Sequence, residues 1–143
     1  MIITDKQKQQ IKQAGKKHNL KLILLYGSYA KGRNQDKSDL DLAVLGEKAI
    51  SFEEMLSVYS ALEKIFGNKK ERELDIVSLH RADPLFCYQV AKGSQLLYGD
   101  LTDYNEFKAY AFTRYFDSKD LLNLEKILTE KFQTYLNKQY AGH

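Results

Sequence analysis

Short apolar runs alternate with longer stretches of helical periodicity along this chain. Leu20–Tyr26 is almost continuously apolar, as a strand buried on both faces requires, and Asp39–Leu45 repeats the pattern until Gly46 stops it. Glu73–Leu79 reads as a third strand and Gln95–Tyr98 as a short apolar piece. Thr4, followed by a polar run with Ile11 and Ala14 on one stripe, predicts a first helix ending near Gly15–Asn19. A short helix is expected over Ser28–Gly32 and a polar loop over Arg33–Lys37. Ser51-x-x-Glu54 has the form of a capping box opening a helix to about Phe66, closed by Gly67-Asn68. Asp83-Pro84 opens another helix, with Asp as cap and Pro in the first turn, and Gly93 ends it. From Thr102 to about Tyr140 no Pro or Gly intervenes. Phe107, Tyr110, Ala111, Arg114, Leu121, Leu124, Leu128 and Phe132 recur there at three- and four-residue intervals, predicting a long amphipathic helix, continuous or broken. The order of elements specifies an α/β or α+β fold with one small mixed sheet.

Composition narrows the picture only a little. With 143 residues, 43% apolar and 29% charged, the chain is expected to form one domain over residues 1–143. Its catalytic core would cover about 20–98 and its C-terminal helical segment about 102–140. A net charge of +3 is too small to argue for nucleic-acid binding. Cys87 is the only cysteine, which excludes a disulfide framework and a thiolate metal cluster. The first residues lack the basic flank and apolar stretch of a signal peptide, and no apolar run approaches a bilayer's thickness. A cytoplasmic protein without membrane contact is expected.

The chemistry concentrates between Gly27 and Asp41. A strand ending in Gly27-Ser28 offers free backbone N–H groups to phosphate oxygens, and ten residues later comes Asp39-x-Asp41. On a strand Asp39 and Asp41 project to one face while Leu40 and Leu42 face the core. Paired carboxylates repel, and aspartate is a poor strand former, so folding alone seldom selects this arrangement. Asp75 is again an acid inside an apolar strand, Leu74-Asp75-Ile76-Val77. If the third strand pairs beside the second, Asp75 comes level with the other two, and one or two Mg²⁺ ions bridging them to a triphosphate would relieve the repulsion. Glu73, two residues earlier, ranks below Asp75 because it is nearer the strand edge. Arg33 and Lys37 are weaker candidates for phosphate contact. His18, His80 and His143 have no spacing that builds a metal site, and neither a Gly-x-Ser-x-Gly elbow nor a P-loop is present.

Gly27, Ser28, Asp39, Asp41 and Asp75 resemble the signature of the minimal nucleotidyltransferases of the polymerase-β superfamily: Gly-Ser, ten residues, Asp-x-Asp, then a later third acid. Gly-Ser-Tyr-Ala-Lys-Gly, the Ser38–Val44 stretch, the Asp-Pro-Leu helix and Gly93–Tyr98 are further similar to the MNT-type antitoxins paired with HEPN ribonuclease toxins. The resemblance covers most of residues 20–135. Val77-Ser78 stands where relatives often carry another acid. The resemblance implies a polymerase-β-type mixed sheet with packed helices and a protein adenylyltransferase. AMP would pass from ATP to a tyrosine of a cognate HEPN toxin, with Mg²⁺ held by Asp39, Asp41 and Asp75. Gly27, Ser28 and Arg33 would contact the nucleotide, and Phe107, Tyr110, Tyr115 and Phe132 would face the partner in a heteromeric complex. Two other functions fit the same residues: nucleotidyl transfer to an antibiotic or other small hydroxyl compound, and a nucleotide-binding module that neutralises its partner by contact alone.

Overall fold

The computed structural model describes residues 2–32, 39–70 and 72–141, with backbone alone at 140 and 141. Its elements run α1 (Asp5–Lys17), β1 (Leu20–Tyr26), β2 (Leu40–Gly46), α2 (Phe52–Phe66), β3 (Leu74–Ser78), α3 (Pro84–Lys92), β4 (Gln95–Tyr98) and α4 (Leu101–Ala141). The four strands form one mixed sheet in the order β3-β2-β1-β4. β1 pairs antiparallel with both β2 and β4, whereas β2 and β3 run parallel, joined by α2 as the crossover a parallel pair needs.

Alternation along the strands divides the core into two layers. Ile23, Leu25, Leu40, Leu42 and Val44 meet α1 and α2 through Ile11, Val58, Leu62 and Phe66. On the other face Leu22, Leu24 and Ala43 meet α3 and α4 through Cys87, Val90, Tyr104, Phe107 and Ala111. Both faces of β1 and β2 are therefore covered, which explains the uninterrupted apolar run at Leu22–Leu25. Asp41 lies between Leu40 and Leu42 in sequence and so falls on the α3/α4 face, at the end of β2 where that layer opens to solvent.

Local chemistry sets the helix ends. Thr4 and Gln7 form a reciprocal capping box, the Gln7 N–H donating to Thr4 Oγ1 and the Thr4 N–H to Gln7 Oε1, each at 3.1 Å. At α2 only half of the expected box forms: the Glu54 N–H donates to Ser51 Oγ at 3.2 Å, and Ser51 is a simple N-cap. Asp83 caps α3 by accepting from the Phe86 N–H at 3.0 Å, with Pro84 in the first turn. His80 is a structural acceptor, its Nε2 receiving the Gly46 N–H at 2.9 Å, and burial lowers its pKa in keeping with a neutral ring.

Two further expectations need correction. Ser28–Gly32 is a succession of turns instead of a helix: Lys31 N–H donates to Gly27 O at 3.3 Å and Gly32 N–H to Tyr29 O at 3.4 Å. Two long hydrogen bonds do not offset helix nucleation, and Gly32 at φ 67° turns the chain out of the helical region. The C-terminal helix is unbroken over 41 residues. Within it, Phe107 is 7% exposed and sits in the core, so it does not face a partner, while Tyr115 is part-buried and stacks on Tyr88 of α3 at 4.1 Å. Tyr110 and Phe132 are exposed, as are Leu121, Leu124 and Leu128. Arg114 is an anchor, its Nη1 donating to Ala82 O at 2.9 Å across the β3–α3 connection.

Candidate active site

The parallel pairing of β2 and β3 puts Asp41 directly opposite Asp75, flanked by Leu40 opposite Leu74 and Leu42 opposite Ile76. The Leu40 N–H donates to Glu73 O at 2.8 Å, which starts this register at the end of the sheet where Asp39 enters. Asp39 and Asp75 are exposed, and Asp41 is partly buried. On the neighbouring strand β1, Tyr26 is the register partner of Asp41, and Gly27 follows it. Two strand pairings thus bring to one corner residues separated by 48 positions.

Charge and packing show how tight this corner is. Burial first, then the negative charges of Asp75 and Asp39, raise the Asp41 carboxyl from 3.8 to about 6. Tyr26 is affected likewise: burial, then the charges of Asp41 and Asp75, push its phenol well up, so it remains a protonated donor. Tyr26 packs edge-on against Phe86 at 5.6 Å and 89°, forming an aromatic wall on the α3 side of the acids. In the sequence Tyr26 stands only as the end of a strand. The signal available was its place immediately before Gly27 on the same strand face as the incoming aspartate.

Gly27 has a physical reason to be glycine. Its φ is 76°, and a Cβ there would run into Asp41 Oδ2. The carboxylate therefore leans across the strand boundary onto the glycine, and turn and acid are in contact. Beyond Gly27 the turn carries Ser28, which is partly buried, Tyr29 and Ala30. Arg33 and Lys37 lie outside the described residues.

These residues suit a hard divalent cation. Their donors are carboxylate oxygens, and their mutual repulsion is what such a cation relieves. Among the described residues no three His, Cys, Asp or Glu side chains are gathered tightly enough to make a ready metal cage. The charges of Asp39 and Asp75, both exposed, act on Asp41 without forming such a cage. Glu73 is exposed as well and lies two residues before Asp75, just ahead of β3.

Comparison with known proteins agrees with the fold. Residues 9–103 match the family model "Polymerase beta, Nucleotidyltransferase", and the chain belongs to that family. A curated relative, the protein adenylyltransferase MntA of Shewanella oneidensis, is 28% identical over 96 residues, which span 67% of this chain and 66% of that protein. Among solved structures, a toxin–antitoxin with AMP-PNP superposes with a TM-score of 0.66 at 23% identity, covering 88% of this chain and 98% of that one. The fold also matches a chain of a tri-AMPylated Shewanella oneidensis HEPN toxin in complex with MNT antitoxin, with a TM-score of 0.63 at 20% identity and coverage of 92% of this chain and 99% of that one. At these identities the structural likeness is one of fold, including the mixed sheet and the long C-terminal helix. Among the described residues no helix is long and apolar enough to cross a membrane.

Proposed function

We propose that this protein is an antitoxin adenylyltransferase that moves AMP from ATP to a tyrosine hydroxyl of a cognate HEPN toxin. The observation that carries the reading is Asp41 opposite Asp75 across β2–β3, with the Asp41 carboxylate pressed against Gly27. A site built only to bind a nucleotide has no need of a third acid on a separate strand. The resemblance to MntA supports the choice of a protein acceptor.

In the reaction the acceptor oxygen bonds to the α-phosphorus, the bond from that phosphorus to the bridging oxygen breaks, and pyrophosphate leaves. Lys31 and Gly32 spend their N–H groups within the turn, so those of Ser28, Tyr29 and Ala30 are the ones we assign to the phosphates, with the Ser28 hydroxyl beside them. Asp39, Asp41 and Asp75 would hold Mg²⁺, which supplies charge neutralisation at the triphosphate and activation of the attacking hydroxyl. We assign Asp75, the exposed member of the opposed pair, to the acceptor side, where it would take up the hydroxyl's proton or pass it to solvent. Catalysis of this kind is mostly positioning in line and neutralising charge. The exposed stripe of α4 from Tyr110 to Phe132 is the surface we assign to the toxin.

Incubating the protein with ATP, Mg²⁺ and the product of the adjacent gene, then weighing both chains by intact mass spectrometry, tests this reading. A gain of one or more AMP on a tyrosine of the neighbour supports it. A stable complex without mass gain would favour neutralisation by binding, and label appearing on an aminoglycoside instead would favour the small-molecule acceptor.

A further inference from the structure

The turn we assign to the phosphates is too short to hold its own shape. Its internal bonds are the two contacts of 3.3 and 3.4 Å described above, and it leaves β1 through a left-handed glycine. Its geometry must come from outside.

Three contacts hold it from two sides. Gln95, the first residue of β4, donates from Nε2 to the Ala30 carbonyl at 2.9 Å, across 65 positions of sequence. The stem of Lys31 lies over Gly93, where an added Cβ would come within 2.8 Å of Lys31 Cε. On the opposite side the Tyr29 ring packs at the edge of the α1/α2 core, with the Arg72 guanidinium 6.0 Å from its centroid. Only the Gln95 bond fixes a peptide plane: it orients the Ala30 carbonyl, and so the peptide that follows the three N–H groups assigned to phosphate. β4 is itself set by its antiparallel pairing with β1, in which Gln95 lies opposite Leu25. The donor is therefore delivered by the same sheet that carries the acids.

We propose that Gln95 is a positioning residue for nucleotide binding, acting through the Ala30 carbonyl to aim the N–H groups of the Gly27–Gly32 turn at the phosphates. The proposal rests on the adenylyltransferase reading. Gln95 is exposed and lies outside both core layers, so its side chain has little part in stability.

The test is Gln95→Met, which keeps the length and neutrality of the side chain and removes the N–H donor. Hydrogen exchange over residues 27–32 is measured in the free protein. AMP-PNP affinity with Mg²⁺ is measured by calorimetry, and KM and kcat are measured for ATP. The expected result is faster exchange in the turn, AMP-PNP binding weaker by about threefold to tenfold as one neutral hydrogen bond implies, and KM for ATP raised to match. The kcat stays within about twofold and the melting temperature is unchanged. Wild-type exchange and affinity in the variant would overturn the role of Gln95 and leave the function intact. Failure of both proteins to bind AMP-PNP, with exchange in the turn still faster in the variant, would overturn the nucleotide reading and the role given to the clamp with it.

Discussion

Asp41→Asn should stabilise the protein while silencing it. The carboxyl of Asp41 titrates near 6 in the folded chain against 3.8 unperturbed, because burial and the charges of Asp75 and Asp39 disfavour its ionised form. Between those values the folded state binds more protons than the unfolded state, so stability falls as pH rises from about 4 to about 6, and above that the penalty is complete. A shift of this size is worth at most about 3 kcal/mol. Asp41 is only part-buried, so screening by solvent reduces the figure to about 1 kcal/mol, or about 3 °C in melting temperature. Thermal unfolding in chelated buffer should show the variant melting above wild type at pH 8 and level with it below about pH 4, where Asp41 is protonated in both folded and unfolded chains. Adding Mg²⁺ should raise the wild-type melting temperature and leave that of the variant unchanged. The same ionisation predicts that kcat/KM for transfer declines as pH falls through about 6. A variant that melts at or below wild type at pH 8, or by the same margin at both pH values, would refute the claim of mutual repulsion at this corner.

Two further substitutions probe the turn and the helices. Gly27→Ala places a side chain at φ 76° and drives its Cβ into the Asp41 carboxylate, so transfer should be lost and stability should drop by at least about 1–2 kcal/mol in chemical denaturation. Along α4, Phe107→Ala should cost about 3–5 kcal/mol because it empties a core position, whereas Leu128→Glu should leave stability within about 0.5 kcal/mol and instead weaken toxin binding in a pull-down titration.

Most elements were legible in the sequence because their signals are local. The Leu20–Tyr26 run, the Ser51 and Asp83 caps, and Gly67 and Gly93 at helix ends each announce a boundary through chemistry within a few residues. The candidate site was legible for a related reason. Asp75 breaks an apolar strand, and only the register, which places it opposite Asp41, depends on the whole fold. What escaped was set by tertiary contact. Ser28–Gly32 has helix-compatible residues but too few of them to repay nucleation, so neighbours decide its shape. Phe107 and Phe132 share a helical period. Only α3 and the sheet, which cover one and leave the other at 62% exposure, tell core from surface. Tyr26 and Gln95 meet groups distant in sequence, the acids of β2 and β3 and the Ala30 carbonyl of the turn, and no local pattern distinguishes them from ordinary strand residues.

The most direct test follows the fate of individual phosphates. With the toxin as acceptor, ATP labelled at the α-phosphorus should deposit its label on toxin tyrosine in wild type. ATP labelled at the γ-phosphorus should deposit none, and Asp75→Asn should abolish the α-label transfer while keeping its fold by circular dichroism. Label arriving from the γ-position, or undiminished α-label transfer by the folded Asp75→Asn variant, would contradict a nucleotidyl-transfer centre built on Asp39, Asp41 and Asp75.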